Sequence, residues 1–397
     1  MLTPKNRLVE LDIVRAIAIF IVVLFHMPFD LNSPLAEAPA LAYMVLLGMA
    51  LFFFLSGFSI DLNNKGIATR ADLYSFFRKR ATRIFPLYWV ALASSILALL
   101  IVLSILHLSL SDVVQYGLIE KKTYDLSLGG FIISFSGMQV LLGPRFIDVP
   151  NRWFIGTILV CYLLYPIIAY FGKDEVRRIV LISAALVLCL LAARVTFNVV
   201  GDDRLYIYFG LFVGGIIVRR INLFYTGAAK KRVAASFLLI ASVIILAQLT
   251  QGFTREGPVT VGLGLNVSYV INEVASDVFL FALGLLFVLA VFYVAKAWAP
   301  RLSRRAAWFF FYAATASYAV FLFHQQFFVG LRFFLESSLH LGGTEVGFIM
   351  ILIGLPVLFT VAFYEQLAEP RAVKRVIDYV ERAISRIGSG VFSGLNR

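Results

Sequence analysis

The sequence predicts an all-α integral membrane protein of about ten transmembrane helices, with the N- and C-termini cytoplasmic. Three observations carry this reading: the overall apolarity, the length of the apolar blocks, and the loops in which Lys and Arg collect. Of 397 residues, 61% are hydrophobic and 15% are charged, and the mean hydropathy is +0.89. A water-soluble domain keeps about a quarter of its residues charged, so this chain lacks the polar surface to cover itself in water. Its apolar residues fall in blocks of about 18 or more, long enough to cross ~30 Å of hydrocarbon as helices.

The first block, Leu11–Phe29, follows Lys5 and Arg7 as a signal peptide would. It is longer than the apolar region of such a peptide, lacks a small-residue cleavage site and carries Arg15 and His26. It therefore reads as an uncleaved first span. Spans are expected at 9–30, 40–60, 84–107, 153–171, 179–199, 205–219, 233–250, 273–295, 308–334 and 346–366. With the N-terminus inside, the inner segments 1–8, 61–83, 172–178, 219–232, 296–307 and 367–397 hold 26 of the 35 Lys and Arg residues. Cytoplasmic loops collect such residues, so the ten-span arrangement is self-consistent. Arg15, Arg194 and Arg332 fall inside spans.

Gly129–Leu142 is apolar but short, and reads as a re-entrant or interfacial element on the outer side. Counting it as a span would invert everything downstream and break the charge pattern. The tail Arg371–Ile387 sets Val373, Val376, Ile377, Val380, Ile384 and Ile387 on one helical face, as an amphipathic helix on the inner leaflet does. The chain thus divides into a membrane domain, 1–370, and a cytoplasmic amphipathic tail, 371–397, of a multi-pass protein of the cell's inner or plasma membrane.

The net charge of +12 does not point to nucleic acid, because the basic residues lie between apolar blocks rather than on a polar face. Cys161 and Cys189 both sit in apolar blocks and behave as small apolar groups, with no metal-ligand spacing and no disulfide framework. Neither a metal site nor a nucleic-acid partner is expected.

Ionisable side chains within spans are the informative ones, since each costs ~2.5–3.5 kcal/mol at mid-span and needs a partner or a wet cavity. Arg15 and His26 are 11 residues apart, three helical turns plus about 20°, so they share a face about 16 Å apart along the axis. Asp12 is one turn from Arg15 on that face. An Asp12–Arg15 pair reaching the inner interface, with His26 hydrogen-bonded at the outer one, would account for all three structurally. Arg80 and Arg83 are one turn apart and suit bidentate phosphate binding, while Arg78 and Lys79 read as ordinary inner-loop cations. His324 follows Ser317 and Tyr318 among aromatic residues and reads equally as a satisfied structural group. Glu273 and Asp277 line an outer cavity or cap a helix start. Gly210–Gly215 reads as a close helix-packing surface.

At these same residues the chain resembles the acyltransferase 3 family of membrane acyltransferases. The resemblance rests on LDIVRAIAIFIVVLFH (11–26), FFFLSGFSI (52–60), FFRKRATRIFPLYW (76–89), RWFIGTILVCYLLYP (152–166), SYAVFLFHQ (317–325) and a terminal Glu-Pro (369–370). It implies about ten helices and transfer of an acyl group, usually acetyl, from acyl-CoA to a hydroxyl of a sugar or glycan at the outer face. Acyl-CoA is then a co-substrate, with no permanently bound cofactor. The resemblance makes His26 the catalytic histidine, Arg15 the essential arginine of its span, and His324 a further catalytic candidate. Arg80, Arg83 and Tyr88 become the acyl-CoA contacts, with Asp12, Ser56, Trp153 and Glu369 in support.

Many members carry Glu where this chain has Ile158, and the last-span acid often reads Glu-x-Pro rather than the Glu369-Pro370 found here, with Glu365 a turn earlier. Some members append an extracytoplasmic hydrolase-like domain. This chain carries only its tail and is expected to act alone or with a separate extracytoplasmic partner. Membrane lipid and the glycan or glycoside acceptor complete the expected partners. The competing class is a secondary transporter or glycan-lipid flippase, which would show pseudo-repeats and helices broken at the midplane.

Overall fold

The computed structural model describes residues 8–26, 39–64, 66–104, 127–142, 152–173, 175–197, 204–223, 260–261, 265–369, 371 and 374–375. Its helices are α1 (Val9–His26), α2 (Pro39–Asn63), α3 (Arg70–Ser104), α4 (Leu128–Ser136), α5 (Gln139–Leu142), α6 (Arg152–Gly172), α7 (Val176–Phe197), α8 (Arg204–Arg220), α9 (Val267–Trp298) and α10 (Arg304–Leu339). The last, α11 (Gly343–Glu369), includes a π-helical turn at Met350–Gly354. A two-residue antiparallel pairing of Thr260–Val261 with Leu265–Asn266 precedes α9. Helices stand at nine of the ten expected span positions. The expected seventh, 233–250, and most of the expected amphipathic tail lie outside the described residues.

Among the described residues, six helices are long and apolar enough to cross a membrane: α2, α6, α7, α9, α10 and α11. The charged helix α1 is not one of them, for it carries Glu10, Asp12 and Arg15. It is enclosed instead. Helices α2, α9 and α10 pack around it, and Ile13, Val14, Ala16, Ala18, Ile19, Val22 and Val23 are buried. Phe20 stacks between Phe309 of α10 and Phe359 of α11. Arg332, the cation deep in α10, is paired with Glu336 one turn on, at 2.7 Å.

The expected third span began at 84, whereas α3 begins at Arg70. A reciprocal cap starts it: the Thr69 amide donates to the Asp72 carboxylate at 2.9 Å, and the Asp72 amide donates to the Thr69 hydroxyl at 3.1 Å. The Thr69 hydroxyl, which donates to the carboxylate at 2.8 Å, together with the Thr69 and Ala68 amides, holds the exposed Asp72 carboxyl below its ordinary value. The helix then runs unbroken through Pro86, so Arg78, Lys79, Arg80 and Arg83 ride on it rather than in a loop.

Two glycines bring α2 and α8 into backbone contact. A Cβ at Gly57 would lie 1.9 Å from the Phe212 carbonyl oxygen, and one at Gly215 would lie 2.1 Å from that of Phe54. Small residues allow such approach, and dispersion replaces the hydrophobic drive that lipid does not supply. Below this crossing the same helices are clamped by charge. The buried Asp61 accepts from Arg220 Nη2 at 2.6 Å and Nε at 2.7 Å, and Arg219 Nη1 is 3.3 Å away. Arg220 also donates to the Lys173 carbonyl at 2.6 Å, and the Tyr165 hydroxyl lies 3.4 Å from Asp61. One carboxylate thereby ties α2, α6 and α8 at a common end.

The short apolar segment resolves into two helices, neither long enough to span. Ser127 caps α4 by accepting from the Gly130 amide, and Gly137 closes it in the left-handed conformation (φ 73°) that glycine adopts without strain. This turn wedges between Leu159 of α6 and Phe85 of α3. The Tyr88 hydroxyl donates to the Ser134 carbonyl, and the Trp89 indole donates to that of Phe135 at 3.0 Å. The segment thus packs as two short helices against α3 and α6.

Removing Asp61 leaves two guanidinium groups facing an apolar end of the bundle. We expect Asp61→Ala to cost about 3 kcal/mol, the lower part of the range for breaking a buried pair, because Arg219 reaches water. A thermal-unfolding midpoint in detergent equal to that of the native protein would contradict this. Gly215→Val should separate α2 from α8 and lower the same midpoint, since its side chain would meet the Phe54 carbonyl and Phe58 amide.

Candidate active site

Five helices, α1, α2, α3, α6 and α10, enclose a cavity of about 100 Å³. Its basic side is formed by Arg15, Arg80 and Arg83, and Ser56, Ser59, Tyr162, Ser317 and Tyr318 supply further polar lining. The helix beginning at Arg70 explains why the arginines converge: Arg80 and Arg83 are one turn apart on it, facing the central helix that carries Arg15. The Tyr318 hydroxyl donates to the Ile84 carbonyl at 2.8 Å, pinning α10 to α3 at the wall.

Arg80 sits between two rings, its guanidinium carbon 5.8 Å from the Phe76 centroid and 5.6 Å from that of Tyr162. These faces attract the cation without using its hydrogen-bond donors. The buried Arg80 Nε and Ser59 Oγ find no hydrogen-bond partner among the described residues. Donors held this way suit a ligand rich in acceptor oxygens.

A second cavity of about 340 Å³ adjoins the first and shares Arg15, Ser59 and Arg83 with it. Leu8, Asp12, Asn63 and Gln366 extend its lining towards the helix ends. Glu369 stands within electrostatic reach of Arg83, and Gln366 Nε2 donates to its carboxylate at 2.9 Å. The two cavities form a polar mouth leading to a narrower chamber.

The two histidines meet beyond the other end of that chamber. The His26 and His324 ring centroids are 5.0 Å apart with the planes at 63°. His26 Nδ1 lies 2.8 Å from the Val22 carbonyl oxygen. His324 Nδ1 lies 3.0 Å from that of Val320 and 2.9 Å from that of Phe321. A carbonyl accepts only, so the ring proton sits on Nδ1 in each and Nε2 is the basic nitrogen of the neutral ring. His324 is fully buried. Between the histidines and the arginines, the chamber wall carries Phe52, Phe154 and Phe321.

The expected residues therefore divide. Arg15, Arg80, Arg83 and Ser56 line one chamber, Asp12 and Arg15 its mouth, with Glu369 beside it, and His26 and His324 pair at the far end. Tyr88 does not line the chamber, because its hydroxyl donates to the Ser134 carbonyl of α4. Trp153 is also elsewhere, covered on one face by the Arg204 guanidinium at 4.1 Å and stacked on Tyr208 at 5.2 Å. Ile158 lines the chamber, so no carboxylate enters from that position. The chamber also holds Tyr162 and the three phenylalanines, which only a knowledge of helix neighbours singles out from the many aromatic residues of the sequence. Asp61 was hidden likewise, a span-end acid whose arginine partners lie about 160 positions later. Among the described residues, no cluster of His, Cys, Asp and Glu could hold a metal ion.

A family model described as an acyltransferase domain, that of the acyltransferase 3 family, matches residues 8–365. No curated protein and no solved structure matches the chain. The match runs from the start of α1 into the last turns of α11, taking in the chamber, the histidine pair and the second cavity's lining except Gln366, and with it this membrane-spanning chain belongs to the acyltransferase 3 family and is a membrane acyltransferase.

Proposed function

We propose that the protein takes an acyl group, acetyl by default, from acyl-CoA at the cytoplasmic face and delivers it to a hydroxyl of a sugar or glycan acceptor at the outer face. The observation that carries this is a chamber lined by three arginines with the histidine pair beyond its other end, Arg15 and His26 standing about 16 Å apart along α1. The donor is anionic at one end and carries its thioester at the tip of a long thin arm. Arg15, Arg80 and Arg83 meet the phosphates, the wider mouth takes the nucleotide end, and the narrow chamber takes the arm.

The orientation of this reading places the arginine end inside, where 26 of the 35 Lys and Arg fall. Ten spans are supported by the sense of two helices. Gly210 and Gly214 of α8 meet Phe281 and Leu285 of α9 in the same order, so the two run parallel, and the ten-span reading supplies the return between them. The expected span 233–250 is the apolar stretch available for that return.

At the far end, His26 Nε2 removes the proton of the acceptor hydroxyl as its oxygen attacks the thioester carbonyl carbon. The C–S bond breaks, CoA leaves as the thiolate, and the proton on Nε2 passes to that sulfur, so the imidazole ends as it began. A two-step route uses the same nitrogen: Nε2 attacks the carbonyl carbon, the C–S bond breaks and CoA leaves as the thiolate, and the acceptor hydroxyl then takes the acyl group from the ring as its proton passes to that thiolate. The Val22 carbonyl serves both routes by keeping the proton on Nδ1 and the lone pair on Nε2. His324, edge-on to His26, fixes the ring plane of its partner.

Purified protein should release free CoA from acetyl-CoA only when a suitable glycan is supplied, and surface glycans of cells lacking the protein should lose acetyl mass. Transport of a glycan lipid without CoA release would replace this reading with that of a flippase. His26→Ala should lower turnover by about 10²–10⁴-fold, the usual contribution of a positioned base, with chromatographic behaviour and thermal midpoint retained. Near-native turnover would exclude the base role. Arg80→Ala should raise the KM for acetyl-CoA by about tenfold or more, from loss of ~1.5–3 kcal/mol of charge-assisted bonding, with a smaller change in kcat. An unchanged KM would remove Arg80 from the donor site.

A further inference from the structure

Three phenylalanines from three helices close the chamber on its histidine side. Phe52 of α2, Phe154 of α6 and Phe321 of α10 all line its wall. Their ring centroids form a closed triangle: 6.1 Å from Phe52 to Phe154, 6.3 Å from Phe52 to Phe321, and 4.5 Å from Phe154 to Phe321. Rings at such separations touch, so no opening passes between them. On the far side the Phe321 centroid is 6.0 Å from that of His324, and His324 is paired with His26.

We infer that this triangle is the gate through which the acyl group reaches His26, and that it selects acyl groups by width. The inference rests on the donor reading given above. A thioester arm that enters past the arginines leads with its acyl group, and the triangle as it stands admits nothing. At least one ring must turn before the carbonyl carbon can meet Nε2. The α2 backbone cannot step aside with Phe52, because Gly57 and Gly215 lock it against α8. The opening is therefore made by side-chain rotation, and its size is set by what the three rings vacate. A linear acyl chain passing end-on has one cross-section whatever its length. A branch or a ring next to the carbonyl widens it. The gate admits acetyl and linear acyl groups and rejects α-branched and aromatic ones.

The test measures kcat/KM for acetyl-, butyryl-, isobutyryl- and benzoyl-CoA, with a fixed glycan acceptor, in the native protein and in Phe52→Ala, Phe154→Ala and Phe321→Ala. Ratios taken within one preparation cancel the fraction of folded protein. Phe→Leu counterparts supply the ratio wherever an alanine variant fails to fold. The isobutyryl-to-acetyl ratio should rise about tenfold or more in at least one variant, with the butyryl-to-acetyl ratio held within about twofold. An unchanged isobutyryl ratio in all variants, while the native protein uses acetyl-CoA, overturns the gate and leaves the donor reading standing. A butyryl ratio that rises as far as the isobutyryl one overturns selection by width. No turnover of any acyl-CoA by the native protein overturns the donor reading and the gate together.

Discussion

Ionisable groups in hydrocarbon constrain everything else in this protein. The first helix carries two acids, an arginine and a histidine, and no lipid-facing position would tolerate that set. It stands at the centre of the bundle for this reason, with apolar residues of α2, α9 and α10 closing around it. Once α1 is central, its polar face must open onto shared interior space. The neighbours that line this space contribute the serines of α2, the arginines of α3 and the tyrosines of α6 and α10. The cavity follows from burying a helix that is unsuited to lipid.

Two kinds of helix contact then divide the bundle mechanically. The α2–α8 crossing is backbone against backbone, reinforced by a bidentate carboxylate–guanidinium pair, and has no slack. The contacts between α3 and α10 are few and directional: a tyrosine hydroxyl on a carbonyl and a glutamine amide on the Ser95 hydroxyl at 2.9 Å. Hydrogen bonds of this type re-form after small displacements, whereas interlocked backbones do not yield. The chamber thus has on one side a helix held by backbone contact, α2, and on another two helices joined by hydrogen bonds, α3 and α10.

Much of this was legible in sequence. Apolar blocks located nine helices now described, and the 11-residue spacing put Arg15 and His26 on one face because α1 is regular throughout. The Arg80–Arg83 pair was readable for the same reason. Three matters were not. The run of α3 back to Arg70, ahead of the expected span at 84, was not read because hydropathy falls at its basic turns, although the Thr69–Asp72 cap sets it. Tyr88 was grouped with the arginines because it lies five residues on, yet that offset turns it to α4. The aromatic triangle draws one residue from each of three helices, and no local pattern distinguishes those from 35 other phenylalanines. Local periodicity reports which way a residue faces, and only packing reports what it meets.

The widened turn at Met350–Gly354 gives the length of the last helix a meaning of its own. Gly354 there packs within 2.9 Å, at its absent Cβ, of Leu331 of α10, so the bulge is seated rather than loose. Such a turn holds one surplus residue, and each residue rotates an α-helix by about 100°. The bulge takes up that residue within one turn, so Gln366 and Glu369 keep their azimuth at the mouth despite it. Losing one residue at this turn would return it to an ordinary α-helical turn and leave the Glu369 carboxylate beside the mouth, whereas losing one elsewhere in the helix would rotate it by about 100°. In this helix, phase as well as composition carries the chemistry.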